Sequence, residues 1–423
     1  MTTDISSKLP KLLLGDELRL ALTRLPHYDR VAIESMPASE RLLRLTDIYK
    51  VFIPSSMTFE IYQKLYMMVS MSLQQKGSID SIKQRNATYK WAHGGEFQGV
   101  ITGATSSTVI GSSGIGKTSA IQYATKLLGP VIESDNNIHR IIPVLMVSCP
   151  FDCSYKGLLC QILISIDETL ETHYYERSEK SKMNSQQILG MVCQLCHLYV
   201  GTLIIDEIQF IVESKSGKLL YQMILQLINT SCISVLLVGT NECLDFFTQA
   251  PQIARRTVGL EYGPMEFGED FRNLCNALFS YQYVLNEASL TEPLIYWLYE
   301  HTGGISASLV SLIHDSQEIA ILKGLETLGI ETLTEAYTSR MKMLHGHTAN
   351  YFLSRQNAPK QIRLKERIPA FKESETIRTD ISIASVVAQA RSTKKDIIGC
   401  LKEHFYIEEV ACWDTFPNST QTN

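Results

Sequence analysis

Residues 111–118 read Gly-Ser-Ser-Gly-Ile-Gly-Lys-Thr, which fills every fixed position of the phosphate-binding loop pattern G-x-x-x-x-G-K-[ST]. Such a loop does one kind of chemistry. Its main-chain N–H groups form an anion-binding nest at a helix N-terminus, where the helix dipole also favours negative charge. Gly111, Ser112, Ser113, Gly114, Ile115, Gly116, Lys117, Thr118 and Ser119 are therefore the candidate nucleotide-binding residues. Lys117 would reach the β- and γ-phosphates, and the Thr118 hydroxyl would hold Mg²⁺. A second constellation follows 89 residues after Lys117, where Leu203-Ile-Ile runs into Asp206 and Glu207. An apolar run ending in two carboxylates predicts a buried parallel strand whose carboxyl end faces a ligand. Asp206 would then sit beside the Mg²⁺ ion. Glu207 would polarise the attacking water, an arrangement suited to hydrolysis.

These groups need a scaffold, and the flanking residues predict one. Ser107–Ile110 is short and β-branched, as a strand should be. Residues 117–128 carry a helical pattern stopped by Gly129-Pro130. Further strands are expected at 141–147, 202–205, 234–239 and 258–262, and helices at 154–171, 185–199, 216–229 and 241–248. His173 to Lys182 is polar and charged and is expected to be a loop. This alternation over residues 86–265 predicts an α/β domain, a parallel sheet flanked by helices. From 266 to 345 the pattern becomes wholly helical, with helices expected at 267–279, 290–299, 306–322 and 334–343, which predicts an α-helical lid. Residues 1–85 form an N-terminal helical extension, read either as a layer packed on the core or as a docking module for a partner. Residues 346–423 read as a partly flexible tail. It carries Trp413 and Phe416, candidate anchors for a partner.

Composition narrows the class. The chain has 423 residues, 45% apolar and 20% charged, as for an ordinary globular protein. No apolar run approaches the length of a membrane span, and the N-terminus lacks a signal-peptide layout, so a cytoplasmic protein is expected. The ten cysteines follow no disulfide framework. Cys193-Gln-Leu-Cys196-His197 fits a haem-attachment spacing, but it falls in a helical segment before the Asp206 strand, where a haem would disrupt the core. Cys149 and Cys153 have no second ligand pair at zinc spacing. A net charge of −5 is not the footprint of a strong duplex binder, so any nucleic-acid contact must be local or summed over subunits.

A phosphate-loop sheet domain followed by a helical lid resembles the AAA+ ATPases, and that resemblance implies ATP and Mg²⁺ as ligands and further site residues. Thr240 and Asn241, at the end of Ser234-Val-Leu-Leu-Val-Gly, stand where such proteins carry the sensor of the γ-phosphate. Arg255 and Arg256 stand where they carry an arginine finger aimed at a neighbouring subunit. The lid sequence Thr302-Gly-Gly-Ile-Ser-Ala-Ser308 lacks the arginine that often follows this turn, so the second sensor is expected to be lost or moved.

The combination of Val109-to-Thr118, Leu203-Ile-Ile-Asp-Glu-Ile-Gln209, Val238-Gly-Thr-Asn241 and Thr302-Gly-Gly-Ile305 resembles the TnsC/TniB regulators of transposition over roughly residues 86–345. Asp29-Arg-Val, Arg41-Leu-Leu-Arg and the long tail suit the longer TnsC-type members. The resemblance implies an ATP-dependent oligomer, a ring or filament, on double-stranded DNA bound without sequence preference. It also implies partners, a target selector and a transposase, with ATP hydrolysis driving disassembly. DNA contacts in the family follow the second core strand, which points to Tyr155 and Lys156. Alternative readings are a signalling or defence NTPase switch, a replication initiator or helicase loader, and a scaffold with a dead nucleotide site. The tail lacks the strand-helix pattern of a winged helix, and the intact Lys117, Asp206 and Glu207 argue against a dead site.

Overall fold

The computed structural model describes residues 5–76, 106–133, 140–213, 217–231, 233–244 and 257–342. The chain divides into two units, 1–357 and 358–423, and all the described residues belong to the first. Arg255, Arg256, Trp413 and Phe416 lie outside the described residues.

The alternating pattern builds the expected sheet. Its strands are β1 (Ser106–Gly111), β2 (Ile132–Glu133), β3 (Arg140–Ser148), β4 (Val200–Asp206), β5 (Ser234–Gly239) and β6 (Thr257–Tyr262), in the spatial order β2-β3-β4-β5-β1-β6. The short β2 pairs antiparallel with β3, and every other pairing is parallel. Successive strand residues point to opposite faces, and both faces are covered. Ile110, Leu203, Ile205, Val235 and Leu237 enter one core, whereas Val109, Ile204, Leu236 and Val238 enter another. Two-sided burial explains why these strands read as unbroken apolar runs instead of alternating.

Before the sheet lie α1 (Gly15–Leu22), α2 (Arg30–Ser35), α3 (Ala38–Arg44) and α4 (Ser56–Lys76). Between strands come α5 (Lys117–Leu127), α6 (Tyr155–Leu170), α7 (Tyr174–Lys180), α8 (Ser185–Tyr199), α9 (Gln209–Glu213) and α10 (Gly217–Ser231). The lid follows as α11 (Glu269–Phe279), α12 (Glu292–Thr302), α13 (Ser306–Leu322) and α14 (Ile330–Ser339). Among the described residues no helix is long and apolar enough to cross a membrane.

The segment expected to be a loop before Lys182 contains α7. Asp167, on the preceding helix, accepts hydrogen bonds from the Tyr174 and Tyr175 N–H groups at 2.8 and 2.7 Å and so caps it. The cap lies six or more residues upstream of the helix it serves, where a local pattern does not look.

The N-terminal extension is part of both bodies. Ile61, Tyr62, Leu65, Met68, Val69 and Leu73 of α4 are fully buried against α5 and the sheet. Each such side chain stabilises the packing by about 1.5–3 kcal/mol, which makes α4 a structural layer and not an appended arm. By contrast, Ile33, Leu45, Ile48 and Val51 enter the core of the lid. Arg41 fixes this second contact. It is 3% exposed, and its Nη1 and Nη2 each donate to the Glu326 carboxylate at 2.7 Å.

Candidate functional site

The phosphate loop leaves the carboxyl end of β1 between β5 and β6. It is anchored by the Ser112 N–H, which donates to the Tyr262 carbonyl at 3.3 Å. The turn into α5 needs Gly116, whose φ of +92° lies in the left-handed region that a side chain disfavours. Lys117 begins that helix and is 9% exposed. Its Nζ donates to the Gly111 and Ser112 carbonyls, both at 2.9 Å. Burial lowers the Lys117 pKa, opposed by the nearby Asp206 and Glu207 carboxylates.

β4 delivers the carboxylates to the same place. Thr118 Oγ1 donates to Asp206 Oδ2 at 2.9 Å, and the Glu207 N–H donates to Asp206 Oδ1 at 2.8 Å. Asp206 is 4% exposed. Burial raises its pKa, partly offset by those two hydrogen bonds. The two residues assigned to a metal from sequence are thus in direct contact and present hard oxygen donors, the donor type Mg²⁺ requires. Glu207 stands just beyond the strand, and its carboxylate accepts a hydrogen bond from Gln209 Nε2.

β5 lies between the loop strand and the carboxylate strand, so its end reaches the site as well. Asn241 Nδ2 donates to Ser112 Oγ at 3.4 Å, joining the end of β5 to the phosphate loop. The Thr240 hydroxyl is buried, lies near Glu242 and helps hold that carboxyl below its ordinary value. It makes no hydrogen bond of ordinary geometry among the described residues.

These groups face one cavity of about 430 Å³. Ser113 through Ser119, Asp206, Glu207, Gln209 and Thr240 line its polar end, and Val51, Ile53, Met57, Met265, Leu274 and Val310 contribute apolar wall. Sequence reasoning missed that wall, because Tyr49 to Thr58 come from the N-terminal extension, far from the loop in sequence. It also missed how the lid meets the loop. The Ala307 N–H and the Ser306 hydroxyl both donate to the Gly114 carbonyl at 3.0 Å. At the turn whose sequence lacks the sensor arginine, the first turn of α13 docks on the phosphate loop directly.

The two residues assigned to DNA separate. The Tyr155 ring packs against the core beside the sheet and is partly buried, with its hydroxyl buried and its pKa raised by burial. Lys156 points outward, about half exposed, with its Nζ 3.5 Å from Glu179 Oε1.

A five-strand parallel core with a phosphate loop on one strand, paired carboxylates two strands away and a helical lid touching the loop defines a P-loop fold of the AAA+ type. Residues 102–262 match the family described as "TniB: Bacterial TniB protein", so that this part of the chain is similar to that family. No curated protein matches it. Solved structures similar to the chain include the ORC2 protein of Aeropyrum pernix in its ADP form. It is 14% identical, covers 62% of this chain and 67% of its own, and has a TM-score of 0.40. The ORC1 protein of Aeropyrum pernix in complex with DNA is 15% identical over 61% of this chain, at a TM-score of 0.41, and this chain spans 64% of its length. AMPPCP-bound DnaA from Aquifex aeolicus is 14% identical over 85% of this chain and 86% of its own, at a TM-score of 0.36.

Proposed function

We propose that this protein hydrolyses ATP and uses the cycle to regulate transposition on duplex DNA. The observation that carries the reading is the 2.9 Å contact between Thr118 and Asp206, with Glu207 beside it, in a cavity walled at its other end by apolar side chains. That wall suits a purine. The loop N–H groups and Lys117 would bind the phosphates, the ammonium exchanging its two carbonyl acceptors for phosphate oxygens. Thr118 and Asp206 would hold Mg²⁺, which when bound offsets phosphate charge. Glu207 would accept a proton as water attacks the γ-phosphorus, while the bond from phosphorus to the departing ADP oxygen breaks. Thr240 and Asn241 would sense the γ-phosphate. Arg255 or Arg256 of a neighbouring copy would stabilise the developing charge, so turnover would require assembly.

The TniB match supports the second half of the reading: ATP-bound copies assemble on double-stranded DNA as a ring or filament, link a target selector to the transposase, and disassemble on hydrolysis. Lys156 is the retained DNA candidate. One phosphate contact per subunit is weak, particularly beside Glu179, but contacts repeated along a filament add through effective concentration. Such contacts read no bases, so binding would be sequence-tolerant.

Electron microscopy of the full chain with duplex DNA and a non-hydrolysable ATP analogue tests both halves. Assemblies should form with nucleotide, vanish in Lys117→Ala, and persist with ordinary ATP in Glu207→Gln. Filaments that ignore nucleotide and the Lys117 substitution would refute the proposal.

A further inference from the structure

Glu207 is held in an unusual way. Its φ of +59° places it in the left-handed region, a conformation that costs a non-glycine residue about 1–3 kcal/mol. The main chain on either side enforces it. The Asp206 carbonyl accepts from the Cys149 N–H at 2.8 Å, and the Ile208 N–H donates to the Val238 carbonyl at 3.0 Å. Neighbouring strands therefore clamp the turn, and the backbone aims Glu207 into the cavity. The side chain, however, still has three rotatable bonds between that backbone and its oxygens, and ordering it costs roughly 1.5–2 kcal/mol.

Gln209 supplies the missing constraint. It opens α9, lines the same cavity, and its Nε2 donates to Glu207 Oε2. The amide nitrogen must be the end that faces the carboxylate, since two oxygens would repel. The opposite end of the amide is informative. Gln209 Oε1 is buried with no hydrogen-bond partner among the described residues, at a cost of about 1–3 kcal/mol. Gly239, at the end of β5, makes the room. A Cβ there would meet Ile208 Cγ1 at 2.7 Å, Cys243 Sγ at 2.8 Å and Gln209 Oε1 at 3.3 Å. The chain thus tolerates a buried unpaired carbonyl beside a strained turn, and what it obtains is one N–H donor on the Glu207 carboxylate.

We propose that Gln209 is the positioning residue of the hydrolytic step, tying down one oxygen of Glu207 so that the other faces the attacking water. This rests on the reading of Glu207 as the group that accepts the water's proton. Gln209 is assigned no contact of its own with nucleotide or water. It acts through Glu207 alone, so removing it should slow turnover without weakening nucleotide binding.

The test measures steady-state hydrolysis by the full chain with ATP, Mg²⁺ and duplex DNA. Gln209→Leu keeps the volume and removes the donor. Its kcat should fall about 10- to 100-fold, the usual scale for losing a group that orients a functional side chain, with KM changed less than about two-fold. Gln209→Glu, nearly isosteric and also without the donor, should fall similarly and guards against a folding defect peculiar to leucine. Because the effect runs through Glu207, the double variant Glu207→Gln/Gln209→Leu should be no slower than Glu207→Gln alone. An unchanged kcat in Gln209→Leu, a rise in KM alone, or losses that multiply in the double variant would each overturn the inference while leaving ATP hydrolysis intact. Absence of turnover by the unmodified protein would instead overturn the hydrolytic reading, and this inference with it.

Discussion

Replacing Arg41 by alanine tests whether the N-terminal extension is an integral wall of the nucleotide site. Arg41 is 3% exposed and donates twice to Glu326, once more to the Tyr283 carbonyl at 2.9 Å, and to the Met36 carbonyl at 3.3 Å. Removing one partner of a buried, bidentate pair leaves the other uncompensated, at about 3–5 kcal/mol. Unfolding entropy near 2.1 cal/mol/K per residue, taken over the 357-residue unit, gives about 0.7 kcal/mol/K. The expected fall in Tm is therefore about 4–7 °C by differential scanning fluorimetry. The loss should depend on pH in a defined direction. The guanidinium of Arg41 holds the Glu326 carboxyl below its ordinary value of 4.5. The stabilisation is complete above that value and is lost as pH falls through the depressed one. The gap between Arg41→Ala and the unmodified protein should thus be full at pH 7 and narrow in acid, as pH falls through the depressed value. The segment from Tyr49 to Thr58 follows Arg41 and lines the cavity. Loosening its anchor should therefore also weaken a fluorescent ATP analogue several-fold, even at temperatures where the protein is folded. A shift in Tm under about 1 °C, or an equal loss in a Glu326→Gln background, would show that this pair does not fasten the extension to the lid.

Two further outcomes follow from the site. Burial raises the Asp206 pKa, so its contribution to stability is greatest below the ordinary value of 3.8 and is lost as pH rises through the raised one. Asp206→Asn should consequently raise Tm at pH 7 while abolishing Mg²⁺-dependent turnover, and the gain should fade in acid; a lower Tm at neutral pH would contradict the stated balance of burial over hydrogen bonding. Gly114→Ala places a methyl group at φ +77°, 3.1 Å from Ile305 Cγ2 and 3.3 Å from the Ala307 Cβ. The left-handed penalty alone is about 1–2 kcal/mol, so calorimetry should show nucleotide affinity reduced about 5- to 30-fold. Unchanged affinity would separate lid docking from nucleotide binding.

What the sequence reveals and what it hides divide along contact range. β5 lies at Ser234–Gly239 as expected, and the other core strands lie within one or two residues of expectation, because each is an unbroken apolar run between turn signals. The phosphate loop and Asp206-Glu207 are legible for the same reason, since their chemistry is written in contiguous residues. The apolar wall is not. Val51 and Met57 share the cavity wall with Met265 and Val310, more than two hundred residues away in sequence, and nothing in a helical pattern near residue 50 points to a cavity. The lid's contact with the loop is hidden in another way. Its donors are the main-chain N–H of Ala307 and a small hydroxyl, whereas a sensor arginine would have announced itself. An aromatic at a helix start, as at Tyr155, reads the same whether it faces the core or solvent.

The disagreements between local preference and observed structure converge on one place. Lys117 is a buried ammonium, Asp206 a carboxylate whose charge burial disfavours, Glu207 a left-handed residue, and Gln209 an amide with one unpaired end. Taken singly, each is a destabilising feature of the folded chain. A sequence under no demand but folding sheds such features readily, since an apolar residue in place of Lys117, Asp206 or Gln209, or a glycine in place of Glu207, relieves the cost. All four line the same cavity; Lys117, Asp206 and Glu207 are the groups that a triphosphate, a hard divalent cation or a water molecule would engage, and Gln209 holds the last of them. The buried ammonium gains phosphate oxygens, the disfavoured carboxylate gains a cation, and the strained turn gains a task. A scaffold with an inert pocket provides none of these compensations. The site is therefore stabilised by what it binds, and the Tm of the protein should respond to nucleotide with Mg²⁺ far more than to either alone.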